Sequence, residues 1–253
     1  MGMLKDKVAI ITGATSGIGW GIAEVFAREG AAVVVAGRDA NRGNEIVKTI
    51  EKNGGRALFI RGDLTLPEEN RKLVDEAVDA FGSLDIMVMS AGDLGIGSVT
   101  DVDLETWHRA VNINFNAVFY LLKYGIPEMK KRGKGAVVVV GSIAAFHMFP
   151  NHPAYCASKG ALVPLVKQVA LDYGPQIRIN LIHPAQVDTP LLRNSVKAFD
   201  NPESIIQETE NRLPMKRLGL PEDIAQAALY LVSEKASWIT GAGFEVDGGF
   251  LCT

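Results

Sequence analysis

The chain has 253 residues, 47% of them hydrophobic and 22% charged, enough apolar material for one sizeable core and in keeping with a single domain over 1–253. Its formal net charge of -3 comes from interspersed charges, with Lys130, Lys131 and Arg132 as a compact basic cluster, which argues against a surface that tracks nucleic-acid phosphates. Cys156 and Cys252 lack metal-type or redox-type spacing, no signal-like apolar region precedes the first strand-like run, and no apolar stretch reaches membrane-spanning length, so a cytoplasmic protein without a membrane partner is expected.

In chain order, apolar runs at 8–12, 32–37, 57–61, 85–90, 136–141 and 177–182 alternate with helical periodicity at 18–29, 41–52, 67–81, 104–129 and 153–173. Strands that are apolar almost throughout are buried on both faces, and alternation with helices requires right-handed crossovers between parallel strands. The pattern predicts an α/β fold with a doubly wound, Rossmann-like parallel sheet. Pro67 and Pro153 fit first helical turns, and Gly30 and Gly54 fit helix stops. Pro164 removes a backbone donor inside a helical run and is expected to bend it one to two turns after Lys159. The stretch 189–214 is polar, weakly periodic and long for a connection, and is expected to form a lid.

Gly13, Gly17 and Gly19 follow the first strand-like run in the spacing G-x-x-x-G-x-G. Glycines suit a tight turn and a close backbone approach to phosphate, while the helix that follows offers unpaired amides to the anion. The segment is read as a nucleotide site; the plainer alternative is a turn that packs helix against strand. After the second strand stands Ala36-Gly37-Arg38-Asp39, with Gly37 where an NAD-type acid is expected and Arg38 suited to a 2′-phosphate. NADP(H) is favoured; NAD(H) is the alternative if Arg38 only decorates the loop and Asp39 turns back to a ribose. Asp63, after the third strand, is either an adenine contact or a turn residue.

Tyr155 and Lys159 are four residues apart in a helical run, and Ser142 ends an apolar strand thirteen residues before Tyr155. The i, i+4 spacing puts phenol and ammonium on one face, where the cation is expected to lower a phenol pKa that starts near about 10. Such a pair also arises by chance on helix surfaces, and it becomes specific beside a nucleotide site.

Together these motifs resemble the short-chain dehydrogenase/reductase family over essentially the whole chain. The segment 12–19 matches its cofactor loop, Ser142 its serine, Tyr155 and Lys159 its Y-x-x-x-K pair, and Ile239-Thr240-Gly241 with Val246-Asp247-Gly248-Gly249 its usual end. Asn114 is chosen over Asn112 and Asn116 by its spacing from Trp107 and Phe119. The resemblance implies hydride transfer between a nicotinamide and a carbonyl or alcohol carbon. Tyr155 would be the general acid and base, Lys159 would tune it and hold a ribose, Ser142 would bond the substrate oxygen, and Asn114 would keep a relay water.

By the same resemblance, Gly13, Thr15, Ser16, Gly17, Ile18 and Gly19 would meet the cofactor at the first turn, and Arg38, Asp63 and Leu64 at the adenosine. Ser90, Ala91 and Gly92 would do so at the central strand. Asn114, Tyr155, Lys159, Pro184, Val187 and Thr189 would complete the set toward the nicotinamide. Three departures stand out: Ser90 where an amide usually braces the central strand, Ala185 after Pro184 where glycine is usual, and Pro164.

A small-molecule alcohol or carbonyl substrate would lie over Ser142 and Tyr155, walled by 93–96, 144–149, Gln186 and the lid from Leu191 onward. Leu94, Ile96, Phe146, Met148 and Phe149 make that wall mostly apolar, unless they pack against a neighbouring subunit. His108, His147 and His152 do not make a metal site, and no metal is expected. The runner-up is a 3-oxoacyl-[acyl-carrier-protein] reductase, with 130–132 as a landing patch but no cation at 171–176. A reading of another class is a catalytically silent NADP-binding sensor or scaffold, against which the intact Asn114, Ser142, Tyr155 and Lys159 weigh. The resemblance also implies a homo-oligomer, dimer or tetramer.

Overall fold

The computed structural model describes residues 2–196 and 201–252. Among them, seven strands form one parallel sheet: β1 (Val8–Thr12), β2 (Ala32–Gly37), β3 (Arg56–Arg61), β4 (Ile86–Met89), β5 (Gly135–Val140), β6 (Ile177–Pro184) and β7 (Gly243–Val246). Their order is β3-β2-β1-β4-β5-β6-β7, so the winding reverses between β1 and β4.

Six of the strands are apolar on both sides because each face of the sheet carries its own core. Ala9 and Ile11 of β1, Val33 and Val35 of β2, and Val138 of β5 face one core. It is closed by α1 (Gly17–Arg28), α2 (Ala40–Lys52) and α9 (Pro221–Val232). Ile10, Val34 and Val137 face the other, closed by α3 (Pro67–Phe81), α5 (Ala117–Lys131) and α6 (Pro153–Tyr173). This residue-by-residue alternation is the doubly wound sheet that the sequence predicts.

The elements differ from the sequence reading in three places. The helical run 104–129 is not one helix: α4 (Leu104–Val111) passes through a π-helical turn, Asn112–Asn116, into α5. The helix α6 is continuous through Pro164, the position of the expected bend. The region 189–214 is largely helical, with α7 (Pro190–Val196) and α8 (Pro202–Arg212); its residues 197–200 lie outside the described residues. Finally, β7 and α9 are additional elements. β7 is a four-residue edge strand with alternating exposure, too short and too polar to register as a buried run.

Candidate active site

A cleft of about 530 Å³ runs along the carboxyl ends of the strands, across the point where the winding reverses. Gly13 (φ +65°) turns the chain so tightly against β4 that a Cβ there would come within 2.7 Å of the Ala91 amide nitrogen. Gly17 (φ +54°) opens α1, and Ser16 before it makes no side-chain cap, so the first-turn amides of α1 are left for an anion. Thr15, Ser16, Gly17 and Ile18 line the cleft. Gly19 does not; a Cβ there would approach the Gly13 carbonyl oxygen to 2.5 Å, so its role is to pack helix on strand.

Gly37, Arg38, Asp39, Arg42, Gly62 and Leu64 line the end of the cleft beside β2 and β3. Asp39 caps α2: its carboxylate accepts from the Arg42 amide at 3.1 Å and from Arg42 Nε at 2.7 Å. The Arg42 amide, then its guanidinium, hold the Asp39 carboxyl below its usual range. The acid is thus committed to Arg42. Asp63 takes the turn role, accepting from the Thr65 amide and hydroxyl, and it does not line the cleft. Arg42 is a cleft residue that the sequence reading missed; the Asp-x-x-Arg spacing of a capped helix was its signal.

At the centre, Ser90, Ala91 and Gly92 line the cleft. The amides of Ser90 and Ala91 donate to Thr12 Oγ1 at 3.1 and 3.4 Å. The brace between β1 and β4 therefore comes from Thr12, and a serine at position 90 does not remove it. Ala185 is not among the positive-φ residues, so its Cβ carries no left-handed strain. Pro184, Val187 and Thr189 all line the cleft, and the Thr189 methyl stands against Gly17.

Ser142, two residues after β5, caps a short 3-10 turn, Ile143–Ala145, its Oγ accepting from the Ala144 amide at 3.0 Å. Tyr155 lies in the first turns of α6, with the Ser142 side chain close enough to act on its phenol. Burial pushes the phenol up and the Ser142 hydroxyl opposes it. Lys159, 4% exposed, donates from Nζ to the Val140 carbonyl at 2.8 Å, 5.8 Å from the Tyr155 ring centroid. Burial lowers its pKa to about 8. The phenol is thus raised rather than lowered: burial sets the direction and Ser142, not Lys159, is what opposes it.

Asn114 is fully buried in the π turn and does not line the cleft. Its Oδ1 accepts from the Asp93 amide at 2.9 Å, and its Nδ2 donates to the Asp93 carbonyl at 2.8 Å and to Ser158 Oγ at 3.0 Å. Ser158 donates in turn to the Tyr155 carbonyl at 3.0 Å. Asn114 thereby joins the loop after β4 to the helix that carries Tyr155. Ser158, a further residue that sequence reasoning missed, is marked only by being a buried serine one turn beyond the tyrosine.

Of the expected wall, Leu94, Phe149 and Gln186 line the cleft together with Leu191 and Leu192. Ile96, Phe146 and Met148 do not line it and are substantially exposed. Phe146 is held away by edge-on packing against His183. His147 packs on Phe149 and Phe250. Among the described residues, no group of three or more His, Cys, Asp or Glu could hold a metal ion, and no helix is long and apolar enough to cross a membrane.

The family model described as enoyl-(acyl carrier protein) reductase matches residues 13–251. A cyclohexanol dehydrogenase of Acinetobacter sp. (strain SE19) is 36% identical over 248 residues, 97% of this chain and 95% of the relative. An NADP-dependent (R)-specific alcohol dehydrogenase of Lentilactobacillus kefiri is 38% identical over 253 residues, 98% of this chain and 97% of the relative. The solved ligand-free structure of Thermoplasma acidophilum aldohexose dehydrogenase matches with a TM-score of 0.91 at 33% identity, covering 99% of this chain and 96% of that one. The chain belongs to the short-chain dehydrogenase/reductase family, oxidoreductases that act on CH-OH and C=O groups with a nicotinamide dinucleotide.

Proposed function

We propose that the protein interconverts a small, largely apolar secondary alcohol and its ketone with NADP(H), using Tyr155 as general acid and base. The observation that carries this reading is one cleft with Ser142, Tyr155 and Lys159 at one end and two guanidinium groups, Arg38 and Arg42, at the other. The carboxylate at that second end, Asp39, is taken up by Arg42, which favours a 2′-phosphate over a free ribose. The NADP dependence named for the Lentilactobacillus relative supports the same preference.

The residues fit such a cofactor. The uncapped amides of α1 would hold its pyrophosphate, Arg38 and Arg42 its 2′-phosphate, Lys159 its nicotinamide ribose, and Pro184, Val187 and Thr189 the nicotinamide end. When bound, it supplies or accepts the hydride. In reduction, Tyr155 Oη holds the proton and gives it to the substrate oxygen, which Ser142 Oγ orients by hydrogen bonding. Lys159 Nζ, charged below about pH 8, favours the phenolate that remains. We assign the returning proton to Lys159, with a relay water near Asn114. Oxidation runs these roles in reverse.

Leu94, Ile143, Phe149, Leu191 and Leu192 around the reacting end favour an apolar substrate. The carrier-protein alternative is weaker on geometry. Lys130, Lys131 and Arg132 precede β5, at the opposite end of that strand from Ser142, roughly 20 Å away for a six-residue strand. Lys131 is also paired with Glu128.

The test is oxidation of NADPH and NADH with cyclic and linear apolar ketones and with a 3-oxoacyl thioester. Faster turnover of a ketone with NADPH is expected. A preferred thioester would select the carrier-protein reading, and tight NADPH binding with no turnover of any substrate would select the silent sensor.

A further inference from the structure

His183 has no part in the reaction as described, yet it is 1% exposed at the end of β6, beside the reacting groups. Its Nδ1 lies 3.1 Å from the Ser142 carbonyl oxygen. A carbonyl can only accept, so Nδ1 carries the proton and Nε2 is left as an acceptor. Nε2 is buried without a hydrogen-bond partner among the described residues. An apolar side chain would avoid that cost.

The neighbouring strands nevertheless leave a slot shaped for this ring. A Cβ on Gly141, just after β5, would come within 2.8 Å of Nδ1, and one on Gly243 of β7 within 2.8 Å of Nε2. The ring also meets Phe146 edge-on, with centroids 4.8 Å apart. Ser142 and Phe146 flank the Ile143–Ala145 turn on its two sides, so one imidazole holds both ends of the segment that presents the Ser142 hydroxyl. The Ala144 amide fixes that hydroxyl from within the turn, and His183 fixes the backbone beneath it.

We infer that His183 is a positioning residue for the reaction, setting the Ser142 hydroxyl against the substrate oxygen through its bond to the Ser142 carbonyl and its contact with Phe146. The inference rests on the role proposed above for Ser142.

The test is a mutant cycle with Ser142→Ala, read as kcat for ketone reduction at saturating NADPH. His183→Asn keeps an amide N–H near the place of Nδ1, His183→Gln moves it toward Nε2, and His183→Leu has none. His183→Leu and His183→Gln are expected to lower kcat by about tenfold to a hundredfold, His183→Asn to recover most of it, and none to lower it further once Ser142 is alanine. An equal multiplicative loss with and without Ser142 would make His183 merely structural and overturn the inference. So would full activity in His183→Leu while Ser142→Ala is impaired, or a loss in His183→Asn as large as in His183→Leu. Full activity in Ser142→Ala alone would instead remove the proposed role of Ser142, and this inference with it. If His183→Leu does not fold, the contrast between Asn and Gln decides.

Discussion

Burial acts oppositely on the two groups that handle the proton, raising the Tyr155 phenol and lowering the Lys159 ammonium to about 8. Reduction needs a protonated phenol and a charged ammonium; both are present at neutral pH, and the second is lost as pH rises through about 8. Oxidation needs the phenolate and gains as pH rises. Measured from about pH 6 to about pH 10, kcat/KM for reduction should hold and then fall, while that for oxidation should climb. A fall in oxidation over the alkaline limb would contradict these roles. At the other end of the cleft, Arg38→Ala and Arg42→Ala should each weaken NADPH by about tenfold or more, the scale of a lost charge-assisted bond, and leave NADH nearly unchanged. Equal losses for both cofactors in a titration would mean that these cations do not read the phosphate. Arg38 was legible because position after a strand suffices to suggest it. Arg42 was missed although the Asp-x-x-Arg spacing marks the cap, since that spacing does not show that the capped end of α2 faces the cleft.

Periodicity made 104–129 legible as helix but could not show the π turn. A shifted hydrogen-bond register leaves the apolar pattern almost intact while it sets Asn114 into the interior. Asn114→Ala would leave the Asp93 amide and carbonyl without their buried partner, and thermal or urea unfolding should show a loss of about 1–3 kcal/mol. Unchanged stability would mean that the clamp is replaceable by water. The helices of the expected lid after β6 are a second feature hidden from the sequence, because they are short and share a small separate core of Val196, Ile206 and Leu218. The neck of this flap is closed by backbone bonds from the Gly219 amide to the Gln186 carbonyl and from the Asp188 amide to the Gly219 carbonyl. Ile206→Ala should weaken the flap locally by about 2 kcal/mol, seen as faster proteolysis there and a higher ketone KM with the main unfolding transition in place. A lowered main transition would instead tie the flap to the sheet.

Over the whole molecule, the two cores explain why six strands could be read from composition alone, each apolar on both sides, whereas β7, at the edge with Glu245 in its middle, could not. Helix α9 is apolar enough to have been found, but it follows the flap and no sheet alternation led to it. Stability should also carry the signature of His183. Burial lowers its pKa, against the pull of the Ser142 carbonyl and Glu245 and with a further lowering from Lys159. A folded pKa below the unfolded value leaves stability full above about pH 6.5 and reduces it as pH falls from there toward the folded pKa. The urea midpoint of His183→Asn should therefore depend less on pH across that window than that of the natural chain.

The central claim is that Tyr155 carries the proton of an NADP(H)-dependent reduction, and one comparison tests it most directly. With the best ketone as substrate, turnover of Tyr155→Phe is measured beside its NADPH affinity. The expected result is turnover reduced by about a thousandfold or more with NADPH affinity nearly unchanged, since the hydroxyl is removed and the cofactor contacts remain. Turnover retained in Tyr155→Phe would take the proton away from this residue and contradict the mechanism.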